Sequence, residues 1–212
     1  MMFFNIGDGY SSGCCSVNNY FFAGQDPKLH GQGLWEHPIN RDKSFVNQIA
    51  TVYKAHCITI ARHRTTIEEI IDSTDVILDL IEKNSQEAYV FFGIPDLYSQ
   101  IVNDEYLLLD GNDETIVDEN EYIELCKNRH TQDLTNKISS IEDLLNKISK
   151  VAVKIIVYRT TSQPINLKVP DNAIYTDNNL LDYLKDHTPY KRGKYYDAIA
   201  HKTLSKEFMK LL

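Results

Sequence analysis

The stretch Phe3-Phe4-Asn5-Ile6-Gly7-Asp8-Gly9 decides how this chain is expected to fold. Mostly apolar residues run directly into a Gly-Asp-Gly turn, which is the pattern of a short buried strand that ends abruptly. The residues that follow, up to Tyr20, can begin a helix. The chain is therefore expected to start with a strand, a tight turn and a helix.

Apolar runs further along the chain predict more strands, separated by segments of helical periodicity. The predicted strands are Cys57 to Ala61, Ala88 to Gly93, Val151 to Tyr158 and the short Ala173 to Tyr175. The predicted helices are Asp42 to Tyr53, Thr65 to Asn84, Glu119 to Lys150 and His201 to Leu212.

The alternation of strands and helices predicts an α/β fold with three layers, α/β/α, around a mostly parallel, flavodoxin-like sheet. Because no linker rich in Pro, Gly or Ser divides the chain, residues 1–212 are expected to form a single domain. Ligands of such sheets bind at the carboxyl ends of the strands. The segments Gly7 to Gly13, Arg62 to Thr66 and Gly93 to Tyr98 are expected to meet there.

Two segments interrupt the alternation. Residues 21–40 form a long loop rich in Gly, Pro, His and Asn, and loops of this length are usually functional. Its apolar side chains Phe22, Leu34 and Trp35 are candidate contacts for a protein partner, or they fold back as a lid over the strand ends. Residues 96–118 form an irregular acidic insertion that lacks the full EF-hand pattern, so no metal site is predicted.

Charge and composition exclude several classes of function. The 22 Lys and Arg are outnumbered by 30 Asp and Glu, giving a formal net charge of -8, which disfavours general binding to nucleic acid or an anionic membrane surface. The apolar start is too short for a signal peptide, and no stretch is long enough to span a membrane. The 4 cysteines contain no CxxC pair, which favours a reducing compartment. A cytoplasmic protein without a cofactor is expected.

The segment Asn5-Ile6-Gly7-Asp8-Gly9-Tyr10-Ser11-Ser12-Gly13 resembles the first block of the SGNH (GDSL) hydrolases, in which a strand ends in Gly-Asp-Ser. Later segments are similar to the remaining blocks, in the same order. These segments are 58–66, 90–96 and 193–202. The resemblance implies an SGNH hydrolase-like fold, and an active member needs a serine nucleophile, an imidazole base and an acid that orients it.

The chain departs from the family pattern at each of these blocks. Gly9 stands where the nucleophilic serine is expected, Arg64 replaces the small oxyanion residue, and Asp96 puts an acceptor where a donor is wanted. If His201 is the histidine of the last helix, Lys194 takes the place of the catalytic histidine. The resemblance therefore implies a vestigial site made of Asp8, Gly9, Arg64, Asp96 and Lys194.

Two alternatives stay open. In the first, Asp197 and His201 form the acid and base pair and Ser11 or Ser12 supplies the hydroxyl, which would make the chain an ester or acetyl hydrolase. In the second, the chain binds an anion or another small ligand. The residues of that cationic site would be Arg62, His63, Arg64 and Lys194.

The leading hypothesis is a catalytically degenerate SGNH-like domain that acts in binding or assembly. Its pattern of strand-end motifs also resembles members encoded by tailed bacteriophages. That resemblance implies a virion or host-interaction role, with a protein partner, in the host cytoplasm or the virion. The sequence gives no oligomeric state.

Overall fold

In the part of the chain that the structure describes, five parallel strands form one sheet in the order β2-β1-β3-β6-β7. The structure is a computed structural model, and it describes residues 1–13, 16, 38–61, 65–84, 87–95, 97, 100–102, 105–107, 132–160, 165–180, 182–184, 191–192 and 195–212. Among these, side chains are not described at 100–102, 105–107, 132–133, 177, 182, 191–192 and 195–196.

The strands and helices of the described residues include the predicted alternation together with several short elements that the sequence pattern does not predict. They are β1 (Met2–Ile6), α1 (Gly9–Ser12), α2 (Pro38–Arg41), α3 (Phe45–Val52), β2 (His56–Thr59), α4 (Ile67–Asp72), α5 (Thr74–Asn84), β3 (Ala88–Ile94), β4 (Gln100–Val102), β5 (Glu105–Leu107), α6 (Gln132–Ile148), β6 (Lys154–Arg159), β7 (Ala173–Asn179), a 3-10 helix (Asp182–Leu184), β8 (Lys191–Arg192), β9 (Tyr195–Tyr196) and α7 (Ala198–Met209).

The predicted fold class is confirmed. The predicted strands that correspond to β1, β2, β3 and β6 pair in parallel, with β2 at the edge of the sheet. The strand order is that of flavodoxin-like sheets. Helices cover both faces, which explains why the strands read as nearly continuous apolar runs.

Alternate residues of each strand point to opposite faces and build two separate cores. Phe4 of β1 and Val90 of β3 belong to the core under α4, α5 and α6. Phe3 and Phe91 belong to the other core, with residues of α3 and α7. The sheet is therefore the middle of three layers, and the carboxyl ends of its strands share one edge.

The predicted helix from Thr65 to Asn84 is wrong in one respect, because it is two helices. Thr66 caps α4 in a capping box with Glu69. At the break, the Ser73 hydroxyl donates to the Glu69 carbonyl at 2.7 Å and the Thr74 hydroxyl donates to the Ile71 carbonyl at 2.5 Å. Hydroxyls that bond backbone carbonyls in this way compete with regular helix geometry.

Other predicted boundaries also need correction. Residues 38–40, predicted as loop, begin α2, and Pro38 suits its first position because proline lacks the N–H that a first turn leaves unpaired. The insertion 96–118 contains the antiparallel hairpin of β4 and β5. Strand β2 ends at Thr59 rather than Ala61, since the amides of Ile60 and Ala61 both turn to the Asn5 carbonyl. None of the described helices is long and apolar enough to cross a membrane.

Candidate functional site at the carboxyl edge of the sheet

The carboxyl ends of β1, β3 and β6 meet around the side chain of Asp8. Asp8 follows β1 and caps α1, and its Oδ1 accepts hydrogen bonds from the amides of Tyr10 at 3.1 Å and Ser11 at 3.4 Å. Its Oδ2 accepts from the Thr160 hydroxyl at 2.7 Å. The Thr160 Oγ1 also lies 3.0 Å from the carbonyl oxygen of Ile94. The helix cap and three strand ends are therefore joined by one carboxyl group.

Asp8 is almost completely buried, with 6% of its surface exposed. Burial raises the pKa of this carboxyl from 3.8 to about 6, against the opposite effect of the hydrogen bonds from Thr160, Ser11 and Tyr10. Desolvation therefore outweighs hydrogen bonding, and Asp8 exchanges its proton close to neutral pH. The position of Asp8 allows two roles, capping the helix or supporting a nucleophile turn. The hydrogen bonds of a helix cap are present.

Gly9 is the first residue of α1 and is buried. It comes directly after the Asp8 cap, at the turn where the resemblance expects a serine. Since glycine has no side chain, this position offers neither a nucleophile nor a hydrogen-bond donor beyond the backbone.

The Ser11 hydroxyl is enclosed in the core. It accepts a hydrogen bond from the Tyr158 phenol at 2.9 Å, and Ser11 has no exposed surface. Gly7, with a φ of 147° that favours glycine, is so close that a Cβ there would lie 2.5 Å from Ser11 Oγ. A Cβ on Gly93 would clash with the same oxygen and come within 2.9 Å of the Tyr158 ring. Among the described residues, the surroundings of this hydroxyl are therefore tightly packed.

Tyr158 and Ser12 are equally committed to the interior. Burial raises the pKa of the Tyr158 phenol well above its usual range, so this group stays protonated and acts as a donor to Ser11. The Ser12 hydroxyl donates to the Gly9 carbonyl at 3.0 Å, and Ser12 is also fully buried. Both serines that could replace a nucleophile are therefore engaged in structural hydrogen bonds.

Asp197 and His201 lie on the first turns of α7. Asp197 is its N-cap, and its Oδ1 accepts from the amides of Ile199 at 3.0 Å and Ala200 at 2.9 Å. His201 is 1% exposed, and its ring lies parallel to that of Phe45 with 6.3 Å between centroids. Burial lowers the pKa of this imidazole from 6.5 to about 3. His201 is therefore a neutral core residue, and Asp197 a helix cap.

The other predicted site residues lie outside the described part of the chain. These are Phe22, Leu34, Trp35, Arg62, His63, Arg64, Asp96 and Lys194. The backbone of β8 and β9 flanks Lys194, and β9 packs beside α1 and α7. Strand β9, which follows Lys194 in the sequence, thus lies beside the helix that Asp8 caps. The cationic ligand site stays a prediction. Among the described residues, no group of three or more His, Cys, Asp or Glu is arranged to hold a metal ion.

Comparison with known proteins identifies the architecture. No protein-family model matches the chain, and no curated protein does. Among solved structures, it is similar to LAE5, an alpha/beta hydrolase enzyme from the metagenome of Lake Arreo, Spain, with a TM-score of 0.56, 12% identity and coverage of 99% of this chain and 93% of that one. The chain has a hydrolase-like fold.

A second similar structure has the same extent of match. It is a mutant of Axe2, an acetyl-xylooligosaccharide esterase from a Geobacillus, with a TM-score of 0.52, 13% identity and coverage of 99% of this chain and 92% of that one. At these identities, the similarity establishes the hydrolase-like fold and nothing finer.

Sequence reasoning missed two residues that organise this edge of the hydrolase-like fold, Tyr158 and Thr160. Both lie at the end of β6, next to the buried Arg159. The carboxyl end of β6 lies at the same edge of the sheet as those of β1 and β3, and this position is the signal in the sequence that points to both residues.

The hydrogen bond from Tyr158 to Ser11 can be tested by a double-variant cycle. Ser11→Ala is expected to lower the free energy of unfolding by about 1–3 kcal/mol, because the phenol would lose its buried acceptor. Adding Tyr158→Phe removes the stranded donor and should recover much of that loss. Chemical denaturation measures both changes, with Ser12→Ala as the matched control. A Ser11→Ala variant as stable as the parent would contradict the structural role.

Proposed function

We propose that this hydrolase-like scaffold acts in binding or assembly and does not hydrolyse esters. The observation that carries the proposal is the combination of Gly9 at the nucleophile turn with two nearby hydroxyls, Ser11 and Ser12, that are buried and hydrogen-bonded. A hydroxyl that attacks an ester must reach the carbonyl carbon and pass its proton to a base within hydrogen-bond distance. Neither hydroxyl meets the first requirement.

The state of His201 supports the same proposal. A general base works best with a pKa near the working pH, whereas burial lowers the pKa of His201 to about 3. Its ring packs on Phe45 in the core beneath α7. In this environment the imidazole is a weak base, because burial disfavours its charged form.

The alternative function is ester or acetyl hydrolysis with Ser11 or Ser12, Asp197 and His201. A specific observation favours it: both similar structures are hydrolases, one an acetyl-xylooligosaccharide esterase, and each aligns with 99% of this chain. Taken alone, the comparisons favour catalysis over a binding role. The local chemistry around Ser11 is the reason to put binding first.

An esterase assay separates the two functions. We expect neither the parent protein nor Gly9→Ser to hydrolyse a short p-nitrophenyl ester above the rate in buffer. Loss of one triad member costs several orders of magnitude, and restoring a hydroxyl at position 9 does not supply a base to activate it. Circular dichroism should confirm that the variant is folded.

Controls for this assay are Ser11→Ala, Ser12→Ala and His201→Ala in the parent chain. Turnover by the parent that one of these substitutions abolishes would establish the esterase and refute the binding proposal. Activity that appears with Gly9→Ser and disappears with His201→Ala would identify Asp197 and His201 as a working pair.

The binding role needs a surface, and the part of the predicted loop that precedes α2, residues 21–37, is our candidate. We propose a protein partner, in a virion or in the host cytoplasm, that contacts Phe22, Leu34 and Trp35. Aromatic anchors on a long glycine-rich loop suit an interface. The competing arrangement is a lid that covers the strand ends.

Tryptophan fluorescence distinguishes the surface from the lid, because Trp35 is the single tryptophan among the 212 residues. A partner surface leaves the indole in water, so we expect red-shifted emission that acrylamide quenches readily. Trp35→Phe serves as the blank for tyrosine emission. Blue-shifted emission that resists acrylamide would support the lid and refute the partner surface.

A further inference from the structure

The Thr160 hydroxyl lies between two acceptors that it cannot serve at once. Its Oγ1 is 2.7 Å from Asp8 Oδ2 and 3.0 Å from the Ile94 carbonyl oxygen. A hydroxyl has one hydrogen to donate and two lone pairs to accept with. The partner that receives this hydrogen therefore depends on whether Asp8 carries a proton of its own.

With Asp8 ionised, the carboxylate can only accept, so Thr160 donates to Asp8 Oδ2. The Ile94 carbonyl then keeps the backbone amide of Thr160 as its donor, at 3.1 Å. With Asp8 protonated, the carboxyl O–H donates to Thr160 Oγ1, and the hydroxyl hydrogen turns to the Ile94 carbonyl. One proton is taken up from water, and one hydrogen bond is added between the strand ends.

We propose that Asp8 and Thr160 form a proton-operated hydrogen-bond relay, which adds a side-chain hydrogen bond from Thr160 to the Ile94 carbonyl, between the ends of β6 and β3, when Asp8 is protonated. The relay is independent of whether the chain hydrolyses esters. It lies at the edge where parallel sheets of this kind bind ligands. Asp8 stands at the start of α1, and Ile94 stands where the chain leaves β3 toward the β4–β5 hairpin.

Among the side chains that the structure describes in this cluster, Asp8 is the group that titrates near neutral pH. Tyr158 on β6 is electrostatically coupled to Asp8, but burial keeps its phenol protonated. The elements packed against α1 include β1 and β9. Strand β9 carries Tyr195–Tyr196, and the adjoining β8 carries Lys191–Arg192. Since burial raises the pKa of Asp8 to about 6, the two states exchange near neutral pH.

Heteronuclear NMR of the full chain tests the relay directly. The carboxyl carbon of Asp8 and the carbonyl carbon of Ile94 would be followed over a pH series in the parent, Thr160→Val and Thr160→Ser. We expect both resonances of the parent to move with one midpoint, the Ile94 carbonyl shifting downfield as it gains a donor on acidification. In Thr160→Val, Asp8 should still titrate while Ile94 stays fixed, and Thr160→Ser should restore the coupled movement.

Two outcomes would overturn the relay. One is an Ile94 resonance that does not move while Asp8 titrates in the parent. The other is the same Ile94 movement in Thr160→Val, which would indicate a field effect of the charge without the hydroxyl. If Thr160→Val does not fold, Asp8→Asn decides: its amide donates to Thr160 at every pH, so Ile94 should remain at its acidic position. An Ile94 resonance near the alkaline position in that variant would refute the proposal.

Discussion

Asp8→Asn is expected to raise the free energy of unfolding at about pH 7 by as much as about 3 kcal/mol. The reason is that the ionised carboxyl is held in the core, where burial raises its pKa from 3.8 to about 6. Asn caps helices as well as Asp does. Its oxygen can accept from the amides of Tyr10 and Ser11, and its amide can donate to Thr160, as the protonated carboxyl does.

The sign of the pH dependence follows from the same shift. The folded state holds the Asp8 proton more tightly than the unfolded state. Protonation of Asp8 therefore stabilises the folded state fully below about pH 4, and this stabilisation is lost as the pH rises through about 6. Asp8→Asn should therefore gain most above that pH and little in acid. Urea unfolding at several pH values measures the difference between the two curves.

Asp197→Asn is the matched control. Like Asp8, Asp197 accepts hydrogen bonds from the backbone amides two and three residues after it, but its side chain is partly exposed. There the charge favours the helix N-terminus by about 0.3–1 kcal/mol, so the substitution should destabilise slightly. Opposite signs at the two caps would identify burial as the cause. A gain at neither cap would contradict the raised pKa of Asp8.

His201 is expected to give the opposite pH dependence, and a larger one. Burial lowers its pKa from 6.5 to about 3, so the neutral imidazole stabilises the fold above about pH 6.5, and this contribution is lost as the pH falls. The full loss, reached near pH 3, is about 5 kcal/mol. That approaches the total stability of many domains, about 5–15 kcal/mol. Acid unfolding should therefore depend strongly on His201.

In the parent protein, the effects of Asp8 and His201 on the pH dependence of the free energy of unfolding partly cancel. As the pH falls from about 8 to about 5, protonation of His201 lowers the free energy of unfolding by about 2 kcal/mol, whereas protonation of Asp8 raises it by about 1 kcal/mol. The effect of His201 should be clearest in the Asp8→Asn background, where adding His201→Gln is expected to flatten the acid limb. His201→Leu provides a second non-titrating variant. An unchanged acid slope in both would show that His201 is not the buried base.

Much of the fold could be predicted because it rests on local pattern. The apolar runs gave four of the five strands nearly to their ends, and the Gly-Asp-Gly turn located the start of α1. Strand β7 is longer than predicted because it continues past a register shift, after which Asn179 pairs with Arg159 of β6. Its residues 177–179 are Asp and Asn, which strands seldom contain, so the local pattern does not predict them as strand. The break between α4 and α5 at Ser73 arises because side-chain hydroxyls there donate to backbone carbonyls. The spacing of apolar residues carries no information about such hydrogen bonds.

The candidate site was less predictable because its contacts join distant parts of the chain. Asp8 as a helix cap follows from neighbours two and three residues away. The burial of Ser11 depends on Tyr158, 147 residues later, and the Asp8 contact with Thr160 spans 152 residues. A sequence shows that a serine lies in the strand-end segment, but not that a phenol and two glycines enclose it.

The strand order also constrains how a newly made chain can fold. Met2 of β1 pairs with His56 on one side and Ala88 on the other, so the first strand must wait for two later ones, and contacts of such separation slow folding. On the face of Phe45 and Phe91, the covering ring of Phe208 belongs to α7. Until that helix emerges from the ribosome, the growing chain carries an uncovered aromatic surface. Over this interval, aggregation should compete most strongly with correct folding.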